Sequence, residues 1–222
     1  MPHLKAVLFD LGGTLVRTDP ISEIFLRILR RHKVHVSLEW REEIFPEVVE
    51  LDLESFKLPY MEFWRAYNLR ILEKLGVQGD LEQLADRLTE EWWDNAELEA
   101  YPEVEDTLRR LRQMGLKIGI VSNGFQIDIH EILSRTGLEG MFDVTVGVDD
   151  VKKPKPHPEI FVYALKKLEI KPHEALFVGD NPETDYKGAE AAGLRPLLID
   201  RENKIQGRYR KIRNLREIIN HV

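Results

Sequence analysis

The chain contains no cysteine, which excludes disulfides and thiolate metal ligation. It also has no apolar run approaching the roughly 18 residues that span a bilayer. Its first residues pass from Met1 directly into an apolar stretch, without the charged, apolar and small-residue zones of a secretion signal. Together these absences lead to an expected cytoplasmic location and no membrane partner. A positive balance is missing as well: 32 Lys and Arg face 39 Asp and Glu, a formal charge of −7. Bulk electrostatics therefore argue against nucleic acid as a partner. Lys204, Arg208, Arg210, Lys211, Arg213 and Arg216 form a local basic exception that reads as a solvated face.

What is present is enough for a core plus a smaller insert: 222 residues, 43% of them hydrophobic. Five short apolar runs stand out at Ala6–Phe9, Ile118–Val121, Val144–Val148, Ala175–Val178 and Leu197–Ile199. Bounded by Gly, Asp and Pro, they read as buried parallel strands. Val104–Met114 and Ile160–Leu168 carry apolar residues at helical spacing between the later runs. Strands alternating with helices predict an α/β fold with a doubly wound parallel sheet. A last helix is expected near Leu215–Val222, after Asn214.

The alternation is interrupted by Arg17–Glu97, which reads as wholly helical and has the size of a small subdomain. Asp19-Pro20 resembles an N-cap followed by proline at the first helical position. Pro46 should kink or break a helix beginning near Ser37. Gly76 is a natural stop for a helix beginning near Tyr60, and Asp80 with Gln83 suggests a capping box. The expected organisation is a core of residues 1–16 and 98–222 with a helical domain of residues 17–97.

Four signals fall at the C-terminal ends of predicted strands, the edge where open α/β sheets bind ligands. Asp10 ends the first strand and is followed by Leu11-Gly12-Gly13-Thr14, so a carboxylate meets the crevice with little bulk around it. Ser122 and Asn123 place a hydroxyl and an amide after the second core strand. Lys155, between Pro154 and Pro156, sits where it could neutralise phosphate charge; Lys152 and Lys153 are close rivals. Asp180 and Asp185 offer the all-oxygen ligation that suits Mg²⁺. Each signal alone also fits ordinary turn or cap chemistry, with Asp180 or Asp185 capping the next helix.

In order and placement together, these motifs resemble the haloacid dehalogenase-like (HAD) hydrolase superfamily, in its phosphatase branch with a type 1 helical cap. The resemblance implies Asp10 as nucleophile, Ser122 and Asn123 as phosphate-binding groups, and Lys155 as the charge-neutralising lysine. It implies Mg²⁺ held by Asp10, the Gly12 carbonyl, Asp180 and Asp185, with Asp185 a ligand or a ligand's partner. Gly12 would also lie against the phosphate. The implied substrate is a small phosphorylated metabolite, hydrolysed by a monomer or homodimer. One departure stands out. Phosphatases of this family usually carry a second aspartate where this chain has Gly12, and that aspartate serves as general acid and base. A leaving group that departs unaided, or a cap residue or water in its place, would answer the loss. Two other readings share the motifs: a metal-independent 2-haloacid dehalogenase, and a catalytically weak protein that binds Mg²⁺ and a phosphorylated ligand.

Remaining features have plainer readings. Tyr60, Phe63, Trp64 and Tyr67 mark a helix face of the insert, and Tyr60 or Trp64 are the first candidates to line a substrate pocket. Arg17 and Thr18 read as linker. His32 and His35 read as a helix terminus rather than a metal pair, and His157 as a turn position.

Overall fold

A computed structural model describes residues 4–34 and 55–222. The chain forms two compact units, residues 1–17 with 98–222, and residues 18–97. His35, Pro46 and the helix expected near Ser37 lie outside the described residues.

The larger unit is built on a six-stranded parallel sheet. Its strands are β1 (Ala6–Phe9), β4 (Lys117–Val121), β5 (Val144–Val146), β6 (Ala175–Gly179), β7 (Arg195–Ile199) and β8 (Lys211–Ile212). They lie in the order β5-β4-β1-β6-β7-β8. A two-stranded ribbon, β2 (Val16–Thr18) with β3 (Leu98–Ala100), stands apart from it. Alternation along β1 divides the core: Val7 and Phe9 join one buried cluster, Ala6 and Leu8 the other. The first cluster is completed by Val104, Leu108 and Leu111 of helix Val104–Gln113 and by Ile129 and Leu133 of helix Gln126–Thr136. The second is completed by Ile160, Phe161, Ala164 and Leu165 of helix Pro158–Leu168. Phe161 meets Phe177 edge to face at 4.9 Å. Both faces of the sheet are therefore covered, which is why its strands read as continuous apolar runs.

The register positions the chemistry. Phe9 pairs with Ile120 on one side and Val178 on the other. Asp10, Ser122 and Asp180 consequently leave three adjacent strands at one edge.

Four elements differ from expectation. The Val144–Val148 run ends as a strand at Val146, because Gly147 turns the chain and Val148 opens a short helix to Val151. Residues Leu215–Asn220 wind as a tighter 3₁₀ turn rather than a helix to Val222, with Leu215 and Ile218 buried beneath it. The ribbon and β8 were not anticipated, since two or three residues carry no readable alternation.

In the smaller unit, helices Ile21–Arg31, Tyr60–Lys74, Leu81–Glu90 and Trp92–Asn95 are described. They enclose their own apolar cluster, including Phe25, Ile28, Leu72 and Leu88. The stretch is not wholly helical, because its ends join the ribbon. Asp80 caps its helix by accepting from the Gln83 amide at 3.0 Å. Gly76, at φ +63°, follows the end of the Tyr60–Lys74 helix. The cap expected at Asp19 is not formed: Pro20 holds the N-cap position. Asp19 instead pairs with Arg27 at 2.9 Å and accepts from the Glu97 amide at 3.3 Å, tying the unit's two ends together. His32 bonds Glu91 at 2.8 Å. Phe63 and Tyr67 are buried and stack, with Trp64 set edge-on against both.

Candidate active site

Asp10 leaves β1 with its amide bonded to the Val178 carbonyl at 2.9 Å. Its carboxylate shares a buried lysine with Asp185. Lys155 Nζ lies 2.5 Å from Asp10 Oδ1 and 2.7 Å from Asp185 Oδ1. A charge buried this deeply is tolerated only when paired, and Lys155 has two carboxylates plus the Phe177 ring at 5.6 Å. Burial alone would lower its pKa; Asp10 and Asp185 outweigh that and hold it up at about 12. Lys153 pairs instead with Glu159 at the surface, and Lys152 sits in a left-handed turn. Among the three lysines, geometry brings Lys155 to Asp10.

Asn123 has a different place from the one its motif suggested. Its Oδ1 accepts from the Lys155 amide at 2.6 Å and its Nδ2 donates to the Lys155 carbonyl at 3.2 Å. The side chain thus clasps the backbone that carries the lysine. Ser122 Oγ accepts from the Gly124 amide at 3.0 Å, which leaves its proton free to donate. His157, at the start of helix Pro158–Leu168, holds a turn through its amide bond to Pro154.

The turn after β6 explains the spacing of Asp180 and Asp185. Residues Pro182–Lys187 form a π-type turn, a wide geometry often met at functional sites. Its N-terminus is capped by Asn181, which accepts from the Glu183 and Thr184 amides at 2.9 and 3.0 Å. Neither aspartate is therefore the cap. Asp185 Oδ2 accepts from the Asn181 amide at 3.0 Å, which aims its other oxygen at Lys155. Two glycines make room: a Cβ on Gly179 would lie 2.4 Å from the Asp185 carboxylate, and one on Gly13 would lie 2.3 Å from Asp180 Oδ2.

Asp10, Asp180 and Asp185 each offer an oxygen, and these lie within 4.8 Å of one another. Burial pushes Asp10 up to about 7 against the pull of Lys155, with Asp185 and Asp180 adding to the rise. Burial and then Asp185 push Asp180 up to about 6. Three carboxylates against one ammonium leave a local negative excess. A hard divalent cation with oxygen ligands relieves that excess, so the residues present fit Mg²⁺. An open groove of about 560 Å³ lined by Gln126, His130, Asp143 and Lys167 includes none of these groups.

Residues 4–193 match the family described as haloacid dehalogenase-like hydrolase. The chain belongs to that family. It is 32% identical over 203 residues to a glyceraldehyde 3-phosphate phosphatase of Methanopyrus kandleri, covering 89% of this chain and 84% of that one. It is 30% identical to haloacetate dehalogenase H-2 of a Moraxella species, covering 90% and 88%. The HAD phosphatase structure from Thermococcus onnurineus superposes with a TM-score of 0.68 at 27% identity, over 98% of this chain and 97% of that one. As a HAD hydrolase, this protein carries its acidic cluster on the edge where such sheets bind ligands.

One group at the same edge escaped sequence reading. Arg201 follows β7 and bonds Glu103 and the Thr14 carbonyl. Ile199-Asp200-Arg201 is a further strand end with charge on it, and that signal was available.

Proposed function

We propose that this HAD hydrolase is a Mg²⁺-dependent phosphatase acting on a small phosphate monoester through an aspartyl phosphate on Asp10. The observation that carries the reading is the buried lysine between Asp10 and Asp185, beside Asp180. Lys155 holds Oδ1 of Asp10 and leaves Oδ2 to act as nucleophile. The carboxylate attacks phosphorus, the ester oxygen leaves with the bond's electron pair, and water then cleaves the acyl phosphate. Asp10 is regenerated and inorganic phosphate is released, the water supplying its hydroxyl to phosphorus and its proton to balance the one the departed ester oxygen takes up from solvent. Splitting one displacement into two is the gain of covalent catalysis. Lys155 and the Ser122 hydroxyl neutralise and orient phosphoryl oxygens, while Asn123 fixes the Lys155 backbone. Asp10, Asp180, Asp185 and the Gly12 carbonyl would hold Mg²⁺, which supplies charge neutralisation when bound. The helical unit is assigned the family's cap role, the choice of substrate.

Gly12 has no acid to offer, so a leaving group that departs without a proton is favoured: an aryl, acyl or anomeric sugar phosphate. The test is phosphate release from a substrate panel with Mg²⁺, with EDTA, and with Asp10→Asn. Activity that requires Mg²⁺ and falls at least about 10³-fold in the variant is expected; equal activity in EDTA would sink the proposal. Gly12 and the Moraxella relative also favour a second reading, 2-haloacid dehalogenation. Chloride release from chloroacetate in EDTA, without phosphate release from the panel, would replace the first reading with the second.

A further inference from the structure

The loop that follows the nucleophile is held from outside its own strand. Residues Leu11–Val16 close on themselves: the Leu15 and Val16 amides both donate to the Leu11 carbonyl, at 2.9 and 3.1 Å, and the Gly13 amide donates to the Val16 carbonyl at 2.9 Å. Thr14 is fully buried, and its carbonyl accepts none of these backbone bonds. A buried carbonyl needs a donor. The donor here is Arg201 Nη2, at 2.8 Å, from the loop after β7.

Arg201 is itself fixed on two further sides. Its Nη1 pairs at 2.6 Å with Glu103, whose carboxylate is almost wholly buried at the start of helix Val104–Gln113. Its guanidinium lies on the Tyr101 ring, with Cζ 3.4 Å from the ring centroid. A planar fork stacked on an aromatic face and paired with a carboxylate has one orientation. Burial, the largest influence, would raise the Glu103 pKa, but the bond and charge of Arg201 together with backbone amide bonds at Glu103 and Leu215 outweigh it and hold the pKa below its ordinary value. The neighbourhood is tight on the other side too: Gly13 approaches Asp180 so closely that no side chain fits between them. A shift of Thr14 is therefore a shift of the backbone that lies against Asp180 and follows Asp10.

We propose that Arg201 is a positioning residue for the reaction, clamping the Thr14 carbonyl so that the loop carrying Gly12 and Gly13 stays registered against Asp10 and Asp180. The catalytic half of this proposal rests on the phosphatase reading. The clamp itself rests on the geometry alone. Lysine at 201 keeps one positive donor but neither the fork nor the planar stack.

The test compares wild type, Arg201→Met and Arg201→Lys by two measurements. The first is amide hydrogen exchange in the segment 11–16, with β4 as the internal reference. The second is p-nitrophenyl phosphate turnover with Mg²⁺, normalised to folded protein. Arg201→Met should speed exchange in segment 11–16 about tenfold or more while leaving β4 unchanged. It should lower kcat about tenfold or more with KM within about twofold, since misplacing the nucleophile's surroundings costs the chemical step. Arg201→Lys should recover part of both. A role confined to stability would lower Tm and leave kcat per folded molecule intact, and that result overturns the proposal, as does unchanged exchange in segment 11–16. If Arg201→Met does not fold, Arg201→Lys and Glu103→Gln carry the comparison, each with smaller changes in the same direction. If wild type releases no phosphate, the phosphatase reading fails, and the exchange data decide whether the clamp exists.

Discussion

Burial holds Asp180 at about 6, well above its ordinary 3.8, so the metal-free folded state resists the ionised form. The sign follows from linkage. The unfolded state releases this proton first, and the resulting cost to stability grows as pH rises past about 3.8 and is complete above about 6. Removing the charge removes the cost. Asp180→Asn is expected to raise Tm in EDTA at pH 8 by roughly 2–6 °C, for about 1–2 kcal/mol recovered, with almost no gain at pH 4. In Mg²⁺ the order should reverse, because only wild type retains the full ligand set. Thermal melts at both pH values, with and without the ion, measure this; a variant less stable in EDTA at pH 8 would show that Asp180 is better solvated than its burial indicates. Gly12 and Gly13 make a contrasting pair. A Cβ at residue 12 would meet nothing within 4 Å, whereas one at residue 13 would strike Asp180 from a backbone at φ +74°. Gly13 is required by shape, and Gly12 is free to be an acid. Gly12→Asp is expected to speed alkyl phosphate hydrolysis by about 10–10², since a positioned acid contributes at least that order. The native protein should show a steep dependence of rate on leaving-group pKa, and the variant a shallower one. A flat dependence in the native protein would mean that another group already donates the proton.

At the scale of elements, the turn Asn181–Lys187 carries a prediction of its own. Asn181 satisfies the Glu183 and Thr184 amides with its side chain and, through its own amide, aims Asp185. Asn181→Ala should cost about 1 kcal/mol, as lost caps do. The backbone amide that aims Asp185 survives this change, but loss of the cap loosens the turn that holds it, so Mg²⁺ affinity should also weaken about tenfold, the worth of a group that orients a ligand. Calorimetric titration with Mg²⁺ beside a thermal melt separates the two; destabilisation with unchanged affinity would leave Asn181 as a cap only. The same turn shows where sequence reading stopped. Strands β1, β4, β5, β6 and β7 were legible because each is a buried run with Gly, Asp or Pro beside it; the ends of β1, β4 and β6 led to Asp10, Ser122 and Asp180, and the proline-flanked stretch beyond β5 led to Lys155. A π-type turn has no periodic signature, so the cap was sought on Asp180 or Asp185 rather than Asn181. β8 and the ribbon are too short to alternate. Asn123 was recognisable as part of the site, yet its attachment to the Lys155 backbone depends on a contact 32 positions away. Arg201 was missed for a related reason: its partners Thr14, Tyr101 and Glu103 are brought together only by the folded sheet.

At the scale of the whole molecule, among the described residues two hydrophobic clusters belong to the sheet unit, and a third is confined to residues of the helical unit. Separate cores are the physical mark of units that can fold alone. The chain's crossing points are also closed locally. Arg17 pairs with Glu99 across the ribbon, the Tyr101 amide bonds the Leu15 carbonyl at 3.1 Å, and the Asp19 amide bonds the Glu97 carbonyl at 3.3 Å. Residues 19 and 97 are thus neighbours, and a short glycine-serine bridge can replace everything between them with little loop-closure cost. A chain lacking residues 20–96 is expected to melt cooperatively. It should keep Mg²⁺-induced stabilisation, because Asp10, Lys155, Asp180 and Asp185 all belong to the retained unit. Turnover should fall and discrimination among phosphate esters should flatten, since the helical unit is assigned substrate choice. Melting of the shortened chain with and without Mg²⁺, followed by the phosphate panel, checks each part. A shortened chain that folds yet gains nothing from the ion would mean that the helical unit helps to build the metal site. One that folds and keeps native selectivity would place substrate choice in the sheet unit itself.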